Sequence, residues 1–456
     1  MTEEIEDIDD AYALEPDLID KVLRAVEEDS QSELLLAFDG LHDADIADLL
    51  EQLHTEDRRA VIRLWGDHLD AGVLSELEEG VRDKIMAEIP HDVLTHAIRD
   101  LETDDLVYLV EDLEDVQKSR ILETLDGADR VAVEQSLQYD EHTAGRMMQR
   151  EVVVAPQHWT VGDAIDNMRA NDDLPEFFYE VIITDPLMHP VGTVALCALM
   201  GAARVTPLID IMKEDYRPIP VDQSQEDVAY AFNQYNLVSA PVIDENNRLV
   251  GVITIDDAME VLEDEAEEDM KRLAGLGDEE LSSRVWEITK LRFPWLAVNL
   301  VTSILASLVI ALFSDTIEAI VALAVLMPIV ASMGGNAGTQ SLTVAVRAIA
   351  TRDLTSANAK RIVLRETLVG LVNGLVFALI IGIVGYVWFG SMMLGLVLAL
   401  AMIANLLVAG MAGILIPISL DKLGADPALA SGAFVTTVTD VVGFFAFLGL
   451  AAMLLL

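Results

Sequence analysis

The sequence predicts a multidomain membrane protein with four parts: an all-α helical-repeat N-terminal domain, a pair of α/β units, a linker helix and a five-span α-helical membrane domain. Three observations support this fold class. Residues 1–289 carry 71 acidic and 21 basic residues, whereas residues 290–456 carry only 7 and 8. The second part contains five apolar stretches long enough to cross a bilayer. Within the first part, the spacing of apolar residues changes from a helical to a strand-like period.

The predicted domains follow these changes in composition. They are an acidic helical-repeat domain (1–140), two tandem α/β units (141–256), an acidic linker helix (257–292) and the membrane domain (293–456). The excess of 50 negative charges in the first part would be repelled by phosphate, which excludes a nucleic-acid partner. Cys197 is the only cysteine, so an intrachain disulfide is excluded, and the acidic first ten residues do not resemble a signal peptide. We therefore expect the first part in the cytoplasm.

Five stretches are predicted to span the membrane. They run over 294–313, 317–346, 363–389, 391–420 and 428–456. The eight basic residues of this part lie before the first span, around the break between the second and third, or between the fourth and fifth. With five spans these positions share one side, and basic loops stay in the cytoplasm. The sequence thus predicts a multi-pass plasma-membrane protein with a cytoplasmic N-terminus and an external C-terminus.

Asp440 is expected to be the only ionisable residue well inside an apolar stretch. A carboxylate at the bilayer centre costs about 2.5–3.5 kcal/mol on insertion scales, so it should face protein or water. Gly432, Thr436 and Asp440 are spaced by four residues and give one helix face that is small and polar. We favour a ligand in an ion pathway over a carboxyl group that is hydrogen-bonded to a neighbouring helix.

The run from Pro328 to Gln340 contains three glycines within five positions. Proline removes a helical hydrogen bond and glycine loosens a helix, so we expect the second span to be broken near its glycine pair. Freed carbonyls there, with the amides of Asn336 and Gln340, would suit an ion or its hydration water. A close-packed helix crossing is the alternative from the glycines alone. For Gly370-x-x-x-Gly374 in the third span, we predict tight helix packing.

The acidic part divides into a helical and an α/β region. Residues 15–140 have apolar residues at helical spacing, as in Ile46-Leu49-Leu50-Leu53, which predicts stacked helical hairpins. From about 143 to 256, strand-like runs alternate with helical ones. The clearest unit, from Ile219 to Asp257, resembles a CBS domain, in which β-α-β-β-α units pair. Val152 to Arg204 resembles a more divergent copy. CBS pairs often bind adenine nucleotides, so this resemblance allows ATP as a ligand.

An acidic cluster precedes the membrane part. Nine of the fourteen residues from Asp256 to Asp269 are acidic. Like charges three or four residues apart destabilise a helix, so a helix here would gain from bound cations. A solvated acidic linker is the alternative interpretation. We favour a cation-responsive element, because the cluster leads directly into the membrane part.

The sequence gives no support for an enzyme. It has no G-x-x-x-x-G-K phosphate loop, no H-E-x-x-H motif and no nucleophile close to a base. All eight histidines precede the first span, and none is placed with Cys197 at the spacing of zinc ligands. We therefore predict neither a catalytic site nor a zinc site.

The order of these parts resembles the MgtE family of magnesium channels and transporters over nearly the whole chain. The resemblance is carried by Glu141-His-Thr143-Ala-Gly145-Arg146, Leu174-Pro-Glu-Phe-Phe-Tyr179, Phe293-Pro-Trp295, Gly334-Gly-Asn-Ala-Gly-Thr-Gln340, Asp426-Pro-Ala-Leu-Ala-Ser431 and Thr436-Thr-Val-Thr-Asp440. It implies a homodimer in the lipid bilayer with one central pore. It also implies a magnesium-selective channel for Mg²⁺ uptake, which cytoplasmic Mg²⁺ closes by binding to the acidic domains.

The resemblance further implies a set of Mg²⁺ ligands. In the pore these are Asp440 and Thr436, to which we add Asn336 for its amide in the glycine-rich run. In the linker helix they are Asp257, Glu260, Glu265, Glu268 and Asp269. In the helical domain the candidates are Asp100 and Asp104. Asn236 stands where the family often has an acidic ligand, so that part of the site departs from the family pattern.

Two other functions are compatible with the sequence. One is a membrane-anchored nucleotide sensor, in which the CBS pair binds the nucleotide and the spans only anchor it. The other is a carrier for another divalent metal, coupled to protons or Na⁺, with Asp440 as the relay. Ion flux would argue against the sensor, and flux independent of the proton and Na⁺ gradients would exclude the carrier.

Overall fold

The computed structural model describes residues 14, 17–86, 89–98, 101–111, 113, 115–125, 127–171, 174–175, 177–276, 285–355 and 357–456. The chain forms two compact units, Met1–Glu263 and Asp264–Leu456. Each unit contains hydrophobic clusters of its own. The division falls inside the segment that the sequence predicts as a linker helix.

The first unit begins with ten α-helices, as the apolar spacing predicts. They are α1 (Leu18–Glu27), α2 (Gln31–Phe38), α3 (Asp43–Gln52), α4 (Thr55–Trp65), α5 (Gly72–Ser75), α6 (Glu79–Met86), α7 (His91–Ala97), α8 (Thr103–Val110), α9 (Asp115–Leu122) and α10 (Gly127–Ser136). Their apolar faces share one core, in which Leu34, Leu49 and Leu74 are fully buried. At α3, His42 and Asp45 form a reciprocal capping box that satisfies backbone amides of the first turn.

Two three-stranded sheets with the same topology follow α11 (Ala144–Met147). The strands are β1 (Val154–Pro156), β2 (Glu180–Thr184) and β3 (Pro190–Ala195), then β4 (Ile219–Pro220), β5 (Ser239–Ile243) and β6 (Leu249–Thr254). In each sheet the first pair of strands is parallel and the second pair is antiparallel. The helices are α12 (Val161–Ala170), α13 (Leu196–Gly201) and α14 (Gln225–Tyr235). This duplicated order confirms the predicted CBS pair.

A 20-residue helix, α15 (Ile255–Ala274), starts directly after β6. Its first turn is fixed by Asp257, whose carboxylate accepts hydrogen bonds from the Thr254 amide (3.3 Å) and the Thr254 hydroxyl (2.9 Å). The acidic cluster is therefore helical, as predicted, and its carboxylates follow one another along a regular helix.

The second unit holds the membrane helices. They are α16 (Val285–Ala311), the short α17 (Ser314–Ala319), α18 (Ala322–Ala350), α19 (Ala359–Phe389), α20 (Met392–Lys422) and α21 (Pro427–Leu454). Within the described part of the chain, five helices are long and apolar enough to span a membrane, which confirms the predicted number. Helix α20 is the most buried of them and packs against α18, α19 and α21.

The prediction of a broken second span is wrong. Helix α18 runs without interruption through Pro328 and the glycines, and its glycines serve close helix packing instead. A Cβ atom at Gly338 would lie 2.5 Å from Val435 of α21. In α19, a Cβ atom at Gly370 would lie 2.5 Å from the carbonyl oxygen of Leu406, which confirms the tight packing predicted for that motif.

Candidate ion pathway and carboxylate clusters

Asp440 lies at the middle of α21 and is half-buried in the single chain. Thr436, one turn earlier, is exposed, and its hydroxyl donates to the carbonyl oxygen of Gly432 at 2.9 Å. The carbonyl oxygen of Thr436 accepts a hydrogen bond from the hydroxyl of Thr439, also at 2.9 Å. The helix face predicted from the spacing of four residues thus exists, with a carboxylate and hydroxyl groups at mid-span.

Helix α18 presents a second polar face near its middle. Asn336 is exposed, and its amide lies 3.4 Å from the hydroxyl of Ser332. Other exposed polar residues of this face are Thr339, Gln340 and Thr343. Because α18 packs against α21 through Gly338, Val435 and Thr439, the structure brings the two helices that carry Asn336 and Asp440 into contact.

The oxygen atoms on these faces suit a hard cation. Mg²⁺ prefers oxygen ligands and keeps several of its waters, so one or two carboxylates with amide and hydroxyl groups are a suitable set. Lipid is a poor neighbour for the same groups, since the bilayer core offers them no hydrogen-bond partner. The polar faces of α18 and α21 therefore indicate a path for a hydrated cation.

Two buried polar residues of the membrane unit escaped the sequence analysis. Glu366 is 9% exposed on α19 and accepts hydrogen bonds from Ser341 and Arg365, both at 3.2 Å. Glu366 lies near the start of the predicted third span, beside Arg365, whereas Asp440 lies at the middle of α21. Asn405 is fully buried on α20. Asn405 is a single polar residue in an apolar run of the sequence, whereas Glu366 stands between Arg365 and Thr367.

A carboxylate cluster in the first unit joins α8 and the start of α15. Asp104 is repelled by the charges of Asp257 and Asp105, and Asp257 by those of Asp256 and Asp105. Burial first, and then repulsion from Asp256, raise the pKa of Asp257 to about 8. Burial, then repulsion from Asp257, raise the pKa of Asp104 well above its usual range. Burial is also the main reason that the pKa of Asp105 rises to about 6.

This cluster was predicted only in part. Asp104 and Asp257 are predicted ligands that the structure brings together, whereas Asp105 and Asp256 were not singled out. Asp100 lies outside the described residues. Within the described part of the chain, no three His, Cys, Asp or Glu side chains are arranged tightly enough to form a ready-made metal site. The carboxylates still fit Mg²⁺, which can bridge them through its own waters.

The raised pKa values of this cluster predict that the folded chain becomes less stable as pH rises, and that Mg²⁺ opposes this loss of stability. A carboxyl group with a raised pKa in the folded state stabilises the fold below its unfolded pKa, and this contribution is lost as pH rises through the folded value. Without Mg²⁺, the thermal unfolding midpoint should therefore fall between pH 6 and pH 8.5, as the Asp104–Asp257 pair ionises. Mg²⁺ should raise the midpoint more at pH 8.5 than at pH 6, because protons compete with the metal.

Differential scanning fluorimetry of the full chain across this pH range measures both effects. The matched control is Asp257→Asn, which should flatten the pH dependence. An Mg²⁺-induced rise that is equal at the two pH values in the unmodified chain would contradict the role assigned to the pair.

The remaining predicted ligands lie further along α15. Glu260 is exposed, whereas Glu265, Glu268 and Asp269 are partly buried. Glu268 forms an ion pair with Arg272 in the next turn. Burial, then repulsion from Asp426 and Glu265, raise the pKa of Asp269 to about 6. Glu265, Glu268 and Asp269 belong to the second unit, whereas Asp104 and Asp257 belong to the first.

Arg272 connects α15 to the first turn of α21. Its guanidinium group lies 2.5 Å from one carboxylate oxygen of Asp426. The other oxygen of Asp426 accepts from the Ala428 amide at 2.7 Å and caps α21, the helix that carries Asp440. Next to this contact, Leu273 packs on the hydrophobic cluster that includes Val435. This ion pair was not predicted from the sequence.

Five apolar helices joined to an acidic first unit define a multi-pass membrane protein. Family models agree: that of MgtE, a divalent cation transporter, matches residues 327–450, and that of the MgtE intracellular N domain matches 41–142. The CBS domain model matches 208–264. The chain belongs to the MgtE family of magnesium transporters, and Mg²⁺ is the transported ion.

Individual relatives support the same assignment. The chain is 37% identical to the magnesium transporter MgtE of Enterococcus faecalis over 321 residues, which cover 70% of this chain and 71% of that protein. It is 33% identical to the magnesium transporter MgtE of Thermus thermophilus over 334 residues, 72% and 74% of the two chains. A crystal structure of the cytosolic domain of the Mg²⁺ channel MgtE in complex with ATP matches with a TM-score of 0.50 and 27% identity, over 53% of this chain and 99% of that one.

Proposed function

We propose that this protein is a Mg²⁺-selective channel for uptake, which Mg²⁺ on the cytoplasmic side closes. The observation that carries the proposal is the half-buried carboxylate of Asp440 at the middle of α21, a helix that packs against α18. Asp440 and Asn336 would bind the outer waters of a hydrated ion, with Thr436 one turn earlier. A fixed set of oxygen groups that accepts an ion with its waters suits Mg²⁺, because Mg²⁺ loses water reluctantly.

The pore is proposed to lie between two copies of the chain. The polar residues of α18 and Thr436 of α21 are exposed in the single chain. A second copy would cover surfaces that lipid does not solvate well. Light scattering of the detergent-solubilised protein should then give the mass of a dimer.

Gating is proposed to act through the carboxylates of the first unit and α15. Without Mg²⁺ the carboxylates around Asp104 and Asp257 repel one another when they ionise, and bound Mg²⁺ would displace their protons and bridge them. Along the helix, Glu260, Glu265, Glu268 and Asp269 are further ligands in this proposal, with Asp100 in the helical domain. Helix α15 is continuous from Ile255 to Ala274, and its last turns contact α18 and α21. Ordering of α15 by bound Mg²⁺ would thus be transmitted to α21, the helix that carries Asp440.

The ion pair between Arg272 and Asp426 should contribute to closure. We expect Arg272→Gln and Asp426→Asn each to raise the internal Mg²⁺ concentration that halves flux by about threefold, the size of a partly exposed ion pair. Asparagine keeps the oxygen that caps α21, so the substitution removes the charge while the cap remains. The double variant should be no worse than either single one, because both remove the same contact.

Flux into liposomes at varied internal Mg²⁺ measures this coupling. Lys271→Gln is the matched control, since Lys271 pairs with Glu267 on the same helix and the change removes one positive charge at the neighbouring position. Additive effects of the two substitutions in the double variant would show that the ion pair does not couple α15 to α21.

ATP is proposed as a ligand of the CBS pair. The cytosolic domain that matches this chain was solved with ATP, and here Phe177 and Tyr179 of the α/β region are exposed. Exposed aromatic rings are suited to stack on an adenine base. Isothermal titration of the full chain with ATP tests this, and Tyr179→Ala should weaken binding.

The central experiment is Mg²⁺ flux through purified protein in liposomes. We expect Mg²⁺ uptake without a proton or Na⁺ gradient, and inhibition of this uptake by internal Mg²⁺. The N-terminus should be accessible from the side on which Mg²⁺ inhibits flux. Absence of any flux would favour the nucleotide sensor. Flux that requires a proton or Na⁺ gradient would favour the carrier, and equal flux of Mn²⁺, Co²⁺ or Ca²⁺ would contradict selectivity for Mg²⁺.

A further inference from the structure

Asn405 occupies the junction of three membrane helices. It is 0% exposed at the middle of α20, and its side-chain amide donates a hydrogen bond to the carbonyl oxygen of Val330 in α18 at 2.7 Å. Its Oδ1 atom is buried and accepts no hydrogen bond from the described residues. A buried amide in an apolar helix is costly, so its one hydrogen bond strongly favours a single arrangement of α20 against α18.

Two glycines make room for this amide. A Cβ atom at Gly334 of α18 would lie 2.3 Å from Nδ2 of Asn405, and one at Gly443 of α21 would lie 2.8 Å from the same atom. Even alanine at either position would overlap with the side chain. The Asn405 amide therefore fixes the distance and register of both helices at this level.

These two glycines are close in sequence to the groups of the ion pathway. Gly443 follows Asp440 by three residues, so both lie on nearly the same side of α21. Gly334 precedes Asn336 by two residues on α18. The bond to Val330 also lies two residues beyond Pro328, where α18 lacks one backbone hydrogen bond and is easier to distort.

We propose that Asn405 is a positioning residue for ion conduction: it holds α18 and α21 in the register at which Asn336 and Asp440 face one pathway. Asn405 does not touch the ion in this proposal. The inference rests on the proposed role of Asp440 and adds a residue outside the polar faces of α18 and α21. Loss of its hydrogen bond would let α18 move relative to α21 while the chain remains folded.

The test compares Asn405→Ala with Asn373→Ala, which removes an exposed asparagine from α19 at a similar depth. Mg²⁺ flux is measured in liposomes on protein that elutes as a single folded species, together with the half-saturating Mg²⁺ concentration and the ratio of Mg²⁺ to Ca²⁺ flux. Asn405→Ala should raise the half-saturating concentration about tenfold, the factor expected for one buried hydrogen bond, and lower the flux ratio. Asn373→Ala should match the unmodified chain.

A second variant separates the hydrogen bond from packing. In Asn405→Ala/Gly443→Ala the new methyl group fills space left by the amide, so packing is restored without the hydrogen bond. We expect this variant to keep the raised half-saturating concentration. Recovery to the value of the unmodified chain would overturn the proposal, as would a folded Asn405→Ala protein with unchanged half-saturation and flux ratio. If Asp440→Ala also conducts normally, the proposed pathway itself fails; if only Asn405→Ala does, the positioning role alone fails.

Discussion

Asp440→Ala is expected to reduce Mg²⁺ flux at least about 100-fold. At an effective dielectric of about 20, a carboxylate about 4 Å from one positive charge contributes about 4 kcal/mol, and a divalent ion interacts more strongly. Even after loss to hydration water, removing about 3 kcal/mol corresponds to a factor of more than 100 in occupancy. Within the described part of the spans, Glu366 is the other buried carboxylate, and it is held by Ser341 and Arg365 away from the exposed face of α18.

Two further variants separate charge from shape at this position. Asp440→Asn keeps the size and should still lose most of the flux, whereas Asp440→Glu should retain part of it with altered selectivity. Asp315→Ala is the matched control, because Asp315 is an exposed aspartate of the short helix α17, outside the spans. Flux of folded Asp440→Ala protein within about twofold of the unmodified chain would remove Asp440 from the pathway.

The order of domains could be predicted because it depends on local composition. The charge division, the five apolar stretches and the change of apolar period are all visible within windows of a few tens of residues. The two copies of the CBS unit could be recognised for the same reason, although the first is more divergent. The predicted ends of the helices were less accurate. The second span was predicted to start at residue 317 but starts at Ala322, because the separate short helix α17 extends to Ala319.

The conformation of the glycine-rich run could not be predicted from its own residues. Proline and glycine lower helix propensity, which favoured a broken span, but tertiary packing decided the outcome. Gly334 is needed for the amide of Asn405, and Gly338 for Val435. Those partners lie roughly 70 and 100 residues away, so no spacing within the run could reveal them.

For the candidate site, the polar face of one helix could be predicted from the sequence, but the contacts between distant residues could not. The spacing of Thr436 and Asp440 predicted a polar helix face, which α21 has. The Asp104 cluster needs α8 and α15 to meet, across 153 residues, and the ion pair of Arg272 with Asp426 spans 154. Such pairs follow from the fold and not from neighbouring residues. The sequence therefore offered Asp104 and Asp257 as separate candidates, and the structure supplies their common environment.

Neutralising that pair should make the channel insensitive to internal Mg²⁺. We expect the double variant Asp104→Asn/Asp257→Asn to raise the internal Mg²⁺ concentration that halves flux by at least about tenfold. Moving a gate from mostly open to mostly closed requires about 5.5 kcal/mol, and each close carboxylate pair near a surface contributes about 1–4 kcal/mol of repulsion that Mg²⁺ can relieve. The four carboxylates of this cluster, Asp257 included, are thus sufficient for a large part of the switch.

Replacing Asp257 by a cationic residue tests whether repulsion between the carboxylates favours the open state. In Asp257→Lys an ammonium group replaces the carboxylate next to Asp104 and stands in for bound Mg²⁺. This variant should conduct weakly even without internal Mg²⁺, because the repulsion that favours the open state has become attraction. A variant that merely disrupts the site would remain open at all Mg²⁺ concentrations, so the two explanations predict opposite basal flux.

The control for net charge is Asp215→Asn/Asp222→Asn, which removes two exposed carboxylates from the same unit. It should leave inhibition by internal Mg²⁺ unchanged, since screening makes isolated surface charges weak contributors. If Asp104→Asn/Asp257→Asn is inhibited at the same concentration as this control, the cluster is not the sensor. The sensing carboxylates would then have to be those further along α15, Glu265, Glu268 and Asp269, whose connection to the pore helix runs through Arg272.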